Sequence, residues 1–305
     1  MKPDFCIRIL GKSSALPTKS SFPSSQLVRY HNQAFLVDCG EGCQIQLRRN
    51  QVALSTIQHI FISHMHGDHF YGLFGLLSSM NLLGRKRILH IYSHPKLQSV
   101  IRFVFATTGE MPRFPIVFHD VNYPKKTRIY TSKKLDVYAF PLDHRIPVSG
   151  FLFQEKHGDL KIRKDAIEKY SMTYQEIRRV KSGGNLVRDG KPLASVETLT
   201  YKPEPMRSYA YCSDTRYFPD MTHDIKGVQC LYHEATFSDD MTDYAKKTFH
   251  STGRQAAETA RSAGVSKLLL GHFSTRYKDA SEIEAQAREV FPESYAVNEN
   301  EEYCL

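Results

Sequence analysis

Three imidazoles and a carboxylate fall within six consecutive positions of this 305-residue chain, His64 to His69, in the segment Ser63-His64-Met65-His66-Gly67-Asp68-His69. An apolar run, Ile60-Phe61-Ile62, precedes the segment, and a second, from Phe70 to Leu77, follows it. That order predicts a buried strand, a tight polar loop and then a helix. Neutral imidazole and carboxylate suit zinc, manganese or iron rather than metals that need soft sulfur ligands. His64 and His66 lie two apart and can point the same way from an extended loop. Asp68 and His69 emerge at the start of the helix, aimed at a neighbouring position. The segment can therefore feed two adjacent cations. A polar loop whose histidines merely face water is the competing reading, and the density of the cluster argues against it.

One loop offers too few ligands for a catalytic metal, and paired metals usually share a bridging carboxylate. The rest of the chain has partners to offer. His144 follows the strand-like Leu135-Asp136-Val137-Tyr138-Ala139-Phe140, Asp214 ends the apolar Ser208–Ser213 pattern, and His272 closes Lys267-Leu268-Leu269-Leu270-Gly271. Each alone is an ordinary strand-end residue. Polar clusters at successive strand ends, in a chain of alternating strands and helices, together signal a metal centre.

His64-x-His66-x-Asp68-His69 with His144, Asp214 and His272 resembles the metallo-β-lactamase superfamily. That pattern alone leaves lactonases, sulfatases, thioesterases and nucleases open. Narrower motifs are His233-Glu234-Ala235-Thr236-Phe237, His250-Ser251-Thr252 and Gly271-His272-Phe273-Ser274-x-Arg276-Tyr277, with Leu10-Gly11-x-x-Ser14-Ala15-x-Pro17 and Asp38-Cys39-Gly40-Glu41-Gly42 near the start. With them the chain resembles the ribonuclease Z family from about residue 5 to its end. The resemblance implies an α/β fold, an αββα sandwich spanning residues 1–305 with a substrate-binding arm inserted at 155–205. It also implies a zinc-dependent endoribonuclease that removes the 3′ trailer from precursor tRNA, working as a homodimer whose arm serves the neighbouring subunit. A small-molecule phosphodiester, sulfate-ester or lactone hydrolase of the same fold is the alternative.

On that resemblance His64, His66 and His144 are expected to hold one Zn2+ and Asp68, His69 and His272 another, with Asp214 between them. Mn2+ or another divalent metal could substitute. His250, oriented by Glu234, is the candidate proton donor to the departing 3′-oxygen, and Asp68 doubles as a group that orients the attacking water. Thr252 and Arg276 are candidate phosphate contacts, as are Lys19, Arg178, Arg179 and Lys181. The family's Pro-Thr-Lys-x-Arg loop reads Pro17-Thr18-Lys19-Ser20-Ser21 here, so Ser21 stands where that arginine would read the tRNA end. The arm lacks the Gly/Pro-rich tip common in bacterial relatives and offers only Gly183-Gly184 and Asp189-Gly190-Lys191-Pro192.

The elements that must position these residues follow from the hydrophobic pattern. Strands are expected at Phe5–Gly11, Gln26–Tyr30, Ala34–Asp38, Ile88–Tyr92, Ile116–Val121 and Leu135–Phe140, with another beginning at Gly150. Helices are expected near 42–49, 96–105, 253–263 and 280–289. Between about 155 and 205 the chain turns polar. Ile162, Ala166, Ile167 and Tyr170 recur at helical spacing, as do Tyr174, Ile177 and Val180, and Thr173-x-x-Glu176 reads as a capping box. The arm is read as helical and too small to bury its own core.

With 41% hydrophobic residues the chain can bury one large α/β core. No apolar run is long enough to span a membrane, and the N-terminus enters a strand with no apolar leader, so a cytoplasmic protein is expected. A net charge of +9 is compatible with a nucleic-acid partner without requiring one. The basic clusters Arg85-Lys86-Arg87, Lys125-Lys126-x-Arg128, Arg178-Arg179-x-Lys181 and Lys246-Lys247 matter only if they gather around the metal centre. Cys6, Cys39, Cys43, Cys212, Cys230 and Cys304 are read as buried free thiols.

Overall fold

The computed structural model describes residues 4–156, 158–201 and 206–305. The chain opens with β1 (Phe5–Gly11), β2 (Ser25–Tyr30), β3 (Gln33–Val37), α1 (Cys43–Arg49), β4 (Ile57–Phe61), α2 (Gly67–Phe70), α3 (Gly72–Leu82), β5 (Leu89–Ser93), α4 (Lys96–Thr108) and β6 (Ile116–Asp120). It continues through β7 (Thr127–Thr131), β8 (Leu135–Pro141) and β9 (Ser149–Glu155). An inserted segment holds α5 (Lys164–Lys169), α6 (Tyr174–Lys181), β10 (Leu186–Arg188), β11 (Lys191–Ala194) and α7 (Val196–Leu199). The remainder runs through β12 (Ser208–Cys212), β13 (Cys230–Glu234), α8 (Thr242–Thr248), α9 (Gly253–Ala263), β14 (Lys267–Gly271), α10 (Ser281–Val290), β15 (Ser294–Ala296) and β16 (Glu302–Cys304).

Two seven-stranded sheets result, in the orders β16-β1-β2-β3-β4-β5-β6 and β15-β14-β13-β12-β9-β8-β7. Side chains alternate between the two faces of each strand, and the sequence uses both faces. On the first sheet Leu36, Ile60, Leu89 and Ile91 turn outward into a cluster with Leu47, Leu73, Leu76, Leu77, Leu97 and Ile101 of its helices. Their neighbours Phe35 and Phe61 turn the other way and meet the second sheet. Phe35 lies edge-on to Phe153 at 5.6 Å between ring centroids, and Phe61 to Phe151 at 5.4 Å. Ala256, Ala257, Ala260, Ile283 and Ala287 of α9 and α10 are buried as well. The layers are thus helix, sheet, sheet, helix, as expected of an αββα sandwich. Strands β12, β13 and β14 run parallel, so their carboxyl ends open on one edge. Among the described residues no helix is long and apolar enough to cross a membrane.

Thr131–Asp136 and Gln154–Arg207 form a second compact unit, which adds a short stretch around the start of β8 to the expected insertion. Two expectations for it are overturned. It has a core of its own, in which Ile162, Ala166, Met172, Val180, Leu186 and Leu199 are buried together. It is also not purely helical, because β10 and β11 pair as an antiparallel hairpin. Asp189 and Gly190 both take positive φ, 50° and 73°, which is what a tight two-residue hairpin turn demands. The hairpin contributes Leu186, which gives the helices an apolar surface to close upon. The capping box of α6 is present, with Thr173 accepting from the Glu176 backbone and Glu176 reaching back to Thr173.

The reading of all cysteines as free thiols also needs correction. Cys6 and Cys304 face each other across the antiparallel β1–β16 pair and are joined as a disulfide. Pairing of the two terminal strands brings together residues 298 apart in sequence, which their spacing does not reveal. Cys39, Cys43, Cys212 and Cys230 are free and buried.

Candidate metal centre

Each chemistry-bearing side chain sits just past, or at, the end of a strand. His64 and His66 lie in the loop after β4, Asp68 and His69 in α2, His144 after β8, Asp214 after β12, Glu234 at the end of β13 and His272 after β14. The fold brings the expected ligands into two adjoining groups. In one, His64, His66, His144 and Asp214 each offer an atom within 4.8 Å of the others, and Asp68, His69 and His272 do so in the second. His66 Nδ1 stands 3.0 Å from His64 Nε2 and 3.3 Å from His144 Nε2.

Asp214 lies between the groups and divides its oxygens. Its Oδ1 is 3.3 Å from His69 Nε2 and 3.1 Å from His272 Nε2. Its Oδ2 is 3.6 Å from His64 Nε2 and 3.9 Å from His144 Nε2. Asp68 Oδ2 stands 3.4 Å from His69 Nε2 and 3.6 Å from His272 Nε2, and accepts from the Ala15 backbone N–H at 2.9 Å.

Whether these side chains suit a cation can be read from their outer partners. A ligating histidine usually gives its second ring nitrogen to a hydrogen-bond partner, which fixes the tautomer. Here His69 Nδ1 pairs with Asp38 at 2.8 Å, His144 Nδ1 with the Phe249 carbonyl at 2.8 Å, His272 Nδ1 with the Thr236 hydroxyl at 2.9 Å, and His64 Nδ1 with the Ser63 hydroxyl at 3.0 Å. The proton is thereby held at Nδ1 and the Nε2 lone pair is turned inward. The Nε2 atoms of His69 and His272 are buried and make no hydrogen bond among the described residues, despite the nearby carboxylates. Orphaned inward nitrogens beside carboxylate oxygens fit a divalent cation.

The electrostatics agree. Burial holds His64 well below the usual imidazole range and also lowers His66 and His144, so these offer neutral nitrogens. Burial would do the same to His69, but Asp68, Asp214 and Asp38 outweigh it and raise its pKa well above the ordinary value. Burial alone would raise Asp214, yet His272, His69 and His64 hold it well below the carboxylate range. Neutral imidazoles beside ionised carboxylates suit a metal.

His250 stands beside the second group. Its Nδ1 is 2.9 Å from Glu234 Oε1, and Glu234 is fully buried. Burial would lower the His250 pKa, but the Glu234 charge and hydrogen bond prevail and raise it to about 9. Glu234 is itself fixed by the Thr215 backbone N–H at 2.9 Å and the Thr236 hydroxyl at 2.6 Å. A cavity of about 460 Å3 opens on the centre, lined by His66, Asp68, Asp214 and His250 together with Ser14–Pro17, Glu41, Gly67 and Tyr71.

Other candidates fall elsewhere. Thr252 is buried and its hydroxyl caps α9 by accepting from the Gln255 N–H at 3.3 Å. Arg276 is exposed and lies over the rings of Phe237 and Tyr244, 5.0 and 5.2 Å from their centroids. Lys19 is exposed in the loop between β1 and β2. Within the second unit, Arg178 and Arg179 line a cavity of about 490 Å3 with Tyr174, Gln175 and Ser182, and Lys181 is exposed.

Sequence reasoning gave no role to Asp38, Ser63 or Thr236, which hold the ligands in place. Asp38 is buried and accepts from the Ser63 N–H at 2.7 Å, the Ser63 hydroxyl at 2.9 Å and the Tyr211 hydroxyl at 2.7 Å besides His69. A carboxylate at the end of the apolar Ala34–Val37 run was the available signal. Asp38, Phe249 and His272 all take left-handed backbone, with φ of 55°, 60° and 58°, a conformation that costs a side chain energy and clusters at functional sites.

Comparison with known proteins gives consistent matches. The sequence family described as anti-Pycsar protein Apyc1 matches residues 5–179, and the β-lactamase superfamily domain matches residues 189–273. A protein named Ribonuclease Z from Bacteroides thetaiotaomicron is 41% identical over 296 residues, covering 97% of this chain and 94% of the relative. Its namesake from Porphyromonas gingivalis is 38% identical over 295 residues, covering 97% of each. Among solved structures, the short form of human tRNase Z matches with a TM-score of 0.72 at 25% identity over 98% of both chains. A metallo-β-lactamase fold protein from Bacillus subtilis matches with a TM-score of 0.68 at 15% identity over 98% of both chains, a likeness of fold.

Proposed function

From the premise that this chain belongs to the ribonuclease Z family, and over residues 5–179 to the family described as anti-Pycsar protein Apyc1, we propose how its side chains carry out the reaction. The protein is a phosphodiesterase of the endoribonuclease class that processes the 3′ end of tRNA, and it binds divalent metal. The observation that carries the mechanism is the division of Asp214 between the two histidine groups. His64, His66 and His144 would hold one cation, Asp68, His69 and His272 a second, and Asp214 both. Zinc suits this all-nitrogen-and-oxygen donor set. When bound, paired cations lower the pKa of water toward neutrality and offset charge on the phosphodiester.

The chain's own groups do the rest. Asp68, tethered by the Ala15 N–H, orients the attacking water against phosphorus. His250, charged at neutral pH and held at Nδ1 by Glu234, has Nε2 left to protonate the departing 3′-oxygen. The P–O3′ bond breaks as the new P–O bond forms, leaving a 3′-hydroxyl on the tRNA and a 5′-phosphate on the trailer. The second unit, with Arg178, Arg179 and Lys181 on or at the end of α6, would hold the tRNA body by phosphate contacts, within a homodimer.

The test is to give the metal-loaded protein a trailer-bearing precursor tRNA and, separately, a nitrophenyl phosphodiester. Cleavage of the precursor at the trailer junction is expected. Turnover of the small ester alone would replace this reading with that of a small-molecule hydrolase.

A further inference from the structure

Tyr71 marks the turn from α2 into α3, and its backbone is pinned on both sides. Its N–H donates to the Gly67 carbonyl at 2.9 Å, and the next residue, Gly72, donates to the Cys39 carbonyl at 2.9 Å. A Cβ at Gly72 would stand 2.1 Å from the Gly40 carbonyl oxygen, so only glycine allows this close seating of the turn. The ring is supported too. A Cβ at Gly67 would stand 2.2 Å from Tyr71 Cε2, so the tyrosine ring lies against the bare Gly67 backbone. Phe70 meets it edge-on at 4.8 Å between centroids.

Despite this support, Tyr71 is 54% exposed, and Leu16, which lines the same cavity, is 63% exposed. Both line the cavity that His66, Asp68, Asp214 and His250 also line. Among the described residues no lysine or arginine lines that cavity, and Glu41 does. A wall built to follow a phosphate backbone would present cations. An aromatic side chain in a cavity also lined by Ala15, Leu16 and Pro17 suits a flat, uncharged ring, and every nucleobase has one.

We propose that Tyr71, with Leu16 beside it, forms a nucleobase subsite: its ring stacks on a base adjoining the scissile phosphate and so seats that phosphate over the metal centre. Tyr71 is a positioning residue here, acting on the substrate's register rather than on the bond that breaks. The inference rests on the endoribonuclease reading above and adds the feature of the substrate that the site recognises.

The test is a cycle that pairs a protein change with a substrate change. Tyr71→Ala should lower kcat/KM for precursor RNA by roughly ten- to one-hundred-fold, the worth of one base stacked on an aromatic side chain. Metal content should stay at the wild-type level, and Tyr71→Phe, which keeps the π face, should restore the rate. Removing the base instead, with an abasic nucleotide on one side of the scissile phosphate or the other, should cost the wild-type protein a similar factor at one of the two positions. At that position the abasic substrate should cost Tyr71→Ala nothing further. Losses that multiply at both positions, or a Tyr71→Phe variant as impaired as Tyr71→Ala, would overturn the subsite. Wild-type protein that fails to cut the intact precursor at the trailer junction would instead overturn the underlying reading, which separates the two failures.

Discussion

Replacing Asp38 with asparagine tests how the fold prepares His69 for a cation. The carboxylate is buried and accepts from the Ser63 N–H at 2.7 Å through Oδ1, while Oδ2 accepts from the Ser63 hydroxyl, the Tyr211 hydroxyl and His69 Nδ1 at 2.9, 2.7 and 2.8 Å. Asparagine keeps the shape but has one acceptor oxygen. With its amide nitrogen in the place of Oδ1, it meets the Ser63 N–H, donor against donor. With the nitrogen in the place of Oδ2, it faces three donors, and His69 can meet it only by accepting at Nδ1. The ring proton then moves to Nε2, the atom that faces Asp68 and Asp214, and the lone pair for a metal is lost. The first orientation keeps three of the four donors paired and the second only one, so the first is favoured; His69 then keeps its Nδ1 proton but gives it to a neutral amide oxygen, losing the carboxylate charge that makes Nε2 a stronger ligand. Loss of an outer partner of this kind typically lowers metal affinity about 10–100-fold. Competition against a chromophoric chelator, starting from apoprotein, should show one ion weakened by that factor and the other bound as in the wild type. Wild-type affinity at both ions would refute the role given to Asp38.

Asp214→Ala should remove both ions and abolish hydrolysis, because its oxygens serve both groups; two ions per chain by elemental analysis with normal turnover would contradict this. His250→Ala should retain its metal and slow RNA cleavage by about 10²–10⁴-fold, the usual worth of a general acid. It should hurt a nitrophenyl phosphodiester less, since that leaving group needs no proton, and equal losses on both would remove His250 from the role. Changing Arg178, Arg179 and Lys181 together to alanine should flatten the dependence of log K on log salt for precursor tRNA by about 2–3 units, read by filter binding, and an unchanged slope would exclude them as phosphate contacts. Cys304→Ser opens a link between residues 298 apart, for which chain entropy sets a stabilisation of about 6 kcal/mol. The variant should melt below the wild type without reductant and together with it in reductant, and equal melting in both conditions would count against the clasp.

The candidate ligands that the fold gathers were legible because they interrupt strong patterns. An apolar run that ends abruptly in histidine or aspartate is visible in one dimension, and the same motif recurs after β4, β8, β12 and β14. The network behind them was not legible. Asp38 is a single carboxylate whose four donors come from residues 63 and 69, which follow the neighbouring strand β4, and from Tyr211 on the other sheet, so strand pairing and sheet stacking are both needed to assemble them. Most strand limits agreed within a residue or so because strands buried on both faces read as short continuous apolar runs, as in β1 and β12. The hairpin of the inserted unit escaped notice because strands Leu186–Arg188 and Lys191–Ala194 are too short to display a period of two. The Cys6–Cys304 pair depends on β16 returning to β1, a contact between chain ends that no local pattern encodes.

The central claim is a metal-dependent cut at the tRNA 3′ boundary, and mapping both new ends of one precursor tests it most directly. An unprocessed tRNA transcript incubated with the metal-loaded protein should yield a mature-length tRNA ending in a 3′-hydroxyl and a trailer beginning with a 5′-phosphate. The products should vanish when a chelator strips the protein and return when divalent metal is restored. Cleavage that survives chelation, or a tRNA fragment ending in a 2′,3′-cyclic phosphate, would mean attack by the RNA's own 2′-hydroxyl and would contradict the account.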